Sequence, residues 1–280
     1  MAYSFSLAFL TLFDVAPSRA VEIAAQAGFS HVGLRLLPSA TEGLYPLMTD
    51  DKELRDTQAA MQDTGVQLAD IEIVRIGEGF RVEETVRFLE RGARLGAKNV
   101  LVAGDDDNEA RLIENYALFC DMAGRFGMTA DLEFMPWTKV PNIASALRVV
   151  EGANQSNGGV LIDALHYHRA GMTPLDVKTI DPKWLHYVQF CDAMANFDPS
   201  TEGLIHIARQ ARLNPGDGEI DLVSLLQAIP DGSVLSLEVP NFDYAKQQSP
   251  IERACNAMAG MKQVISAAKA HTDVPTGASM

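Results

Sequence analysis

Residues 129–163 read TADLEFMPWTKVPNIASALRVVEGANQSNGGVLID, and this stretch decides the fold. Thr129–Phe134 is a short apolar run, and Gly159–Asp163 is a second. Between them, Asn142–Val150 carries apolar residues at helical spacing. The unit is therefore strand, helix, strand. Its two strands are too apolar for a sheet with a wet face, so they read as buried parallel strands.

The same unit recurs outward in both directions. Toward the N-terminus the spacing predicts strands at Asn99–Ala103, Val66–Val74, His31–Leu36 and Ser4–Leu10. Helices are expected at Asn108–Phe126, Val82–Leu95, Asp50–Thr64 and Ala16–Ala27, the last ending at Gly28. Toward the C-terminus, strands are expected at Leu185–Phe190 and Ser233–Glu238, and helices at Thr173–Val177, Glu219–Ile229 and Ser249–Lys269. Eight strands alternating with helices in 280 residues predict an α/β fold, a single (β/α)8 TIM barrel over 1–270 with a loose polar tail at 271–280. An open doubly wound sheet would carry a glycine-rich turn after its first strand. The turn here is LTLFDVAPS, without a glycine.

Composition narrows the function. Lys and Arg number 23 against 37 Asp and Glu, a net charge of −14. A nucleic-acid partner needs a basic face, and an anionic membrane surface repels such a chain, so neither partner is expected. No apolar run approaches the roughly 20 residues of a spanning helix. The opening MAYSFSLAFLTLF has no basic residue before Arg19, so it reads as a buried strand and not as a leader. Three cysteines, far apart and without a CxxC, point to a reducing, cytoplasmic setting.

In a barrel the chemistry lies at the C-terminal ends of the strands. Strand five ends at Glu133, strand six at Asp163 and strand eight at Glu238, while strand seven brings Gln189. Buried carboxylates are costly without a cation, and converging ones raise each other's pKa. One divalent ion relieves both problems. Three carboxylates and an amide oxygen are hard donors, which favour Mn²⁺, Mg²⁺ or Co²⁺. The competing reading has each acid capping a helix or meeting an arginine. The run Asp105–Asp107 after strand four reads as a solvated loop, His186 as structural at the far rim, and Asp192 as a hydrogen-bonding group within the rim.

The segments LEFMPWT, LIDALHYHRAG, HYVQFCDA and LSLEVP, in this order, resemble the sugar phosphate isomerase/epimerase superfamily. This xylose isomerase-like TIM barrel group includes keto-sugar epimerases, inosose dehydratase and dehydroshikimate dehydratase. The resemblance implies one divalent metal ion held by Glu133, Asp163, Gln189 and Glu238. Gln189 stands where the superfamily commonly has His, although some dehydroshikimate dehydratase-like members also use Gln. Through a D-x-x-H pattern, the resemblance makes His166 a contact to a substrate oxygen or a group that orients the site. A similar arginine-containing loop in the superfamily makes Arg212 a substrate contact, the alternative being a solvated loop charge. Arg35 has the same two readings, Glu72 is a pairing partner for it, and Trp137 is either a pocket wall or core packing.

The implied activity is isomerisation or epimerisation of a small keto-sugar or polyol-type substrate through an enediolate. Glu133 or Glu238 would be the base and His166 would assist. The alternative is a dehydratase of the dehydroshikimate or inosose type. A non-catalytic sugar-binding barrel is a third reading, and a multi-zinc DNA-repair endonuclease is disfavoured by the charge and by only six histidines. The expected partner is a small polyhydroxy molecule, with a homo-oligomer left open.

Overall fold

A computed structural model describes residues 3–39 and 42–272. Eight parallel strands close into a barrel in sequence order. They are β1 (Ser4–Leu7), β2 (His31–Arg35), β3 (Gln67–Ile76), β4 (Asn99–Gly104), β5 (Thr129–Glu133), β6 (Gly158–Asp163), β7 (Tyr187–Phe190) and β8 (Val234–Leu237). Closure is made by β8 against β1, with Ser6 opposite Ser236.

Alternation along the strands sorts the side chains. Val100, Val102, Leu132, Val160, Ile162, Val188, Leu235 and Leu237 point outward and join one large core shared with the helices. Leu101, Ala103, Leu161 and Tyr187 form a second, smaller apolar cluster with Ile73 and Met135. Consecutive strand residues face opposite sides, so this second cluster fills the barrel interior. The same inward rows carry Glu133, Asp163 and Gln189 to the C-terminal rim. Asp163 pairs with Gln189 across β6 and β7, and Gln189 with Ser236 across β7 and β8.

The surrounding helices begin and end where local chemistry dictates. Asp50 caps Asp51–Thr64 by accepting from Lys52 N, and Asn142 forms a reciprocal cap with Ser145 at the start of Ile143–Ala153. Gly65 closes the first of these helices at a φ of 75°, which favours glycine.

Several boundaries differ from expectation. The first strand stops at Leu7, and Phe9–Leu12 is a 3-10 turn. The helix expected from Val82 starts as a 3-10 turn and becomes α-helical at Val86. Two rim helices, Ala164–Arg169 and Thr201–Gln210, were not anticipated. The final helix runs from Pro250 to Thr272, and the stretch 273–280 of the expected tail lies outside the described residues. No helix among the described residues is long and apolar enough to cross a membrane.

Candidate active site

Asp163 organises the rim. As the last residue of β6 it also caps the helix Ala164–Arg169, because its Oδ1 accepts from His166 N at 3.0 Å. That tight exit holds the His166 ring against the barrel mouth. His166 Nε2 lies 3.6 Å from Glu133 Oε1 and 3.9 Å from Asp163 Oδ1. Glu133, Asp163 and His166 each offer a ligand atom, and these atoms lie within 4.8 Å of one another.

Arg212 closes the other side. Its Nη1 donates to Asp163 Oδ2 at 2.5 Å, its Nη2 sits 3.0 Å from Glu238 Oε2, and its Nε donates to Ala208 O at 2.8 Å. The alternative reading of Arg212 as a solvated loop charge does not hold, because its side chain is buried. Residues 211–213 follow directly on Thr201–Gln210, and the guanidinium is buried between two carboxylates. Gln189 Nε2 donates to Glu238 Oε1 at 3.1 Å, while Gln189 Oε1 is buried with no partner among the described residues.

Electrostatics follow from this packing. Burial raises the Glu133 pKa well above the ordinary carboxylate range, and Asp163 and Glu238 add to the rise. Burial likewise pushes Glu238 up to about 8, against the pull of Arg212. Burial also opposes ionisation of Asp163, but Arg212, His166 and the hydrogen bond from His166 N carry it below its ordinary value. Burial lowers His166 to about 4, so its ring is neutral at physiological pH.

The residues present fit a divalent ion. Three carboxylates, Glu133, Asp163 and Glu238, face one guanidinium, so ionising all three would leave two negative charges uncompensated, and burial together with the neighbouring carboxylates holds Glu133 and Glu238 toward their protonated forms. A cation would remove the cost of ionising them. The orphaned Gln189 Oε1 supplies a neutral oxygen donor beside it. His166 also offers a ligand atom within 4.8 Å of those of Glu133 and Asp163, whereas the sequence reading has it as a substrate contact or a group that orients the site.

The remaining expected residues line the same cleft, whose empty space is about 450 Å³ including its open mouth. Arg35 donates to Glu72 Oε2 at 3.2 Å, both buried, and its guanidinium stacks 4.9 Å from the Phe9 ring. Trp137 meets the His166 ring edge-to-face at 4.9 Å, so it is a wall of the cleft and packs there too. Sequence reasoning missed Arg209, Arg75 and Met135 in the lining.

Other expectations resolve nearby. Asp192 accepts from the backbone N–H groups of Ala193, Gly216 and Ile220 and ties the rim loops together. His186 lies within 2.5 Å of Asp131. The acidic run is not simply solvated: Asp106 is buried and receives a bidentate bond from Arg111, because its carboxylate also holds Asn108 N. All three cysteines are free.

Known proteins place this arrangement. A 3-dehydroshikimate dehydratase of Pseudomonas aeruginosa is 27% identical over 277 residues, which is 93% of this chain and 41% of that protein. An inosose isomerase of Bacillus licheniformis is 26% identical over 178 residues, 59% of this chain and 62% of that protein. The chain thus spans less than two thirds of either relative. Among solved structures, the IOLI protein with a zinc atom superposes with a TM-score of 0.79 at 20% identity, covering 94% of this chain and 98% of that one. A D-allulose 3-epimerase of Methylomonas sp. gives a TM-score of 0.68 at 15% identity, covering 94% and 98%. Those two likenesses speak for the fold alone. The model of the xylose isomerase-like TIM barrel family matches residues 21–265, and the chain belongs to that family.

Proposed function

We propose that this chain is a metal-dependent enzyme that removes the proton beside a carbonyl of a small polyhydroxy compound and returns it, as an isomerase or epimerase does. The observation that carries the reading is the buried rim of Glu133, Asp163, Gln189 and Glu238, with three carboxyl groups against one guanidinium and an unpartnered Gln189 oxygen. A divalent ion held by these four residues would supply Lewis acidity to the substrate carbonyl and ease loss of the neighbouring proton.

The protein's own groups divide the remaining work. Glu133 is the base once a bound cation offsets the burial and neighbouring carboxylates that otherwise keep a proton on it, and it touches no arginine. Glu238 is held by Arg212 and Gln189. Neutral His166, 3.6 Å from Glu133, can donate or accept a hydrogen bond at a substrate oxygen. Arg212 keeps Asp163 ionised and in place. Trp137 and Met135 give the cleft apolar walls.

A second reading, a dehydratase, has its own support. The 3-dehydroshikimate dehydratase aligns with 93% of this chain, more than the inosose isomerase does. The first step is common to both reactions, and the second then expels a β-hydroxyl. Product masses separate them. With keto-sugars and cyclic β-hydroxy ketones supplied with Mn²⁺, Mg²⁺ or Co²⁺, an unchanged mass supports isomerisation or epimerisation. Loss of one water supports the dehydratase. Neither product across a broad panel contradicts both.

A further inference from the structure

The cleft is lined by acids and by arginines. Arg35, Arg75, Arg209 and Arg212 all line it. Three of them have acid partners: Arg35 has Glu72 at 3.2 Å, Arg75 has Asp105 at 3.3 Å, and Arg212 has Asp163 and Glu238. Arg209 makes no hydrogen bond or ion pair among the described residues, although it is half-buried in the wall. Its electrostatic neighbours are Arg75, Arg35 and Glu42, two cations against one acid, and Glu42 already accepts from Ser39 N and Oγ at 2.8 Å. Arg35 is buried as well, and its Nε has no partner. In a chain of net charge −14 an arginine without a carboxylate is not for want of acids.

Helix energetics do not explain Arg209. It stands in the last turn of Thr201–Gln210, where a cation gains about 0.3–1 kcal/mol from the helix dipole. That gain is available to a side chain pointing into solvent, and it gives no reason to line a cleft beside two other arginines. Crowded guanidinium groups repel one another, and an anion between them relieves the repulsion.

We propose that the cleft takes a substrate with an anionic group, a carboxylate or a phosphoryl, beside Arg209, and that Arg209 selects for it with the help of Arg35. The inference rests on the reading of this cleft as the site of a polyhydroxy carbonyl enzyme and fixes the charge of its substrate. Arg209 acts on specificity and takes no part in proton transfer.

Three matched polyols test it by calorimetric titration: D-gluconate, D-glucitol 6-phosphate and neutral D-glucitol. At least one anion should bind wild type about tenfold or more tightly than D-glucitol, the effect of a charge-assisted hydrogen bond. The favoured anion tells carboxylate from phosphoryl. The gap should close in Arg209→Gln and survive in part in Arg209→Lys, which keeps the charge but loses the fork. Equal binding of all three, no binding of any, or an undiminished gap in Arg209→Gln would overturn the proposal. These titrations need no turnover. A gap that depends on Arg209, without hydrogen exchange on any carbonyl substrate, keeps the charge assignment and discards the enolising reaction. Exchange without the gap does the reverse.

Discussion

Arg212 and Asp163 form a buried ion pair at 2.5 Å, in which the guanidinium approaches the rim from a loop 49 residues further along the chain. The bond joins the exit of β6 to the connection before β8. It places a fixed positive charge on the inner side of the rim, so the rest of the acidic ring is only part-neutralised. A partner removed from such a pair leaves an unpaired buried charge, at a cost of about 3–5 kcal/mol.

Arg212→Leu should therefore destabilise the fold by that order, read as a lower midpoint in urea denaturation. Arg212→Lys should lose less, since it keeps the charge but not the two-sided reach to Asp163 and Glu238. A midpoint unchanged in Arg212→Leu would show that the pair is not a net structural element.

Gln189 provides a test of the donor set. Gln189→Leu should weaken Mn²⁺ binding at least about tenfold, the loss that even a supporting group causes. Gln189→His should keep or strengthen it, because imidazole is the better donor. Calorimetry with Mn²⁺ alone measures both, and equal affinity in wild type and Gln189→Leu would remove Gln189 from the ligand set.

Much of this site was legible as sequence. Short apolar runs ending in Glu133, Asp163 and Glu238 are what strands buried on both faces look like, and a barrel brings their ends together. The direction of Arg212 was not legible. ARLNPGDG looks like a polar loop, and only the fold shows that it packs its guanidinium inward. The rim helix Thr201–Gln210 left a fainter trace: Ser200 precedes Leu204, Ile207 and Ala208, a cap followed by apolar residues at helical spacing. His166 was placed by its distance from Asp163 in sequence. Its proximity to Glu133 depends on the register between neighbouring strands, which local pattern does not encode.

The far end of the barrel predicts a pH effect of known sign. Burial alone would lower the His186 pKa, but the hydrogen bond to Asp131 outweighs it and raises the value above the ordinary 6.5. The stabilisation is then complete below pH 6.5 and is lost as pH rises through the folded-state pKa. Urea midpoints of wild type should exceed those of His186→Gln by more at pH 5.5 than at pH 9. An equal difference at both would mean that protonation of His186 does not stabilise the fold.

Close packing around that pair gives a further prediction. A Cβ on Gly159 would lie 2.6 Å from His186 Nδ1 and 2.7 Å from Asp131 Oδ1. Gly159→Ala should destabilise by about 1–3 kcal/mol through overpacking. It should also reduce the pH dependence of wild type. Wild-type stability with an unchanged pH profile would contradict the contact.

The central claim is that Glu133 takes a proton from carbon. The most direct measurement is uptake of solvent deuterium next to the carbonyl, followed by proton NMR in D2O. Keto-sugars and cyclic β-hydroxy ketones would be offered with Mn²⁺, Mg²⁺ or Co²⁺ and their carbonyls scored for exchange. Wild type should catalyse exchange on at least one substrate, and Glu133→Gln, with an unaltered circular dichroism spectrum, should be slower by about 10²-fold or more. No exchange by wild type on any member of the panel, or equal exchange by Glu133→Gln, would contradict the account.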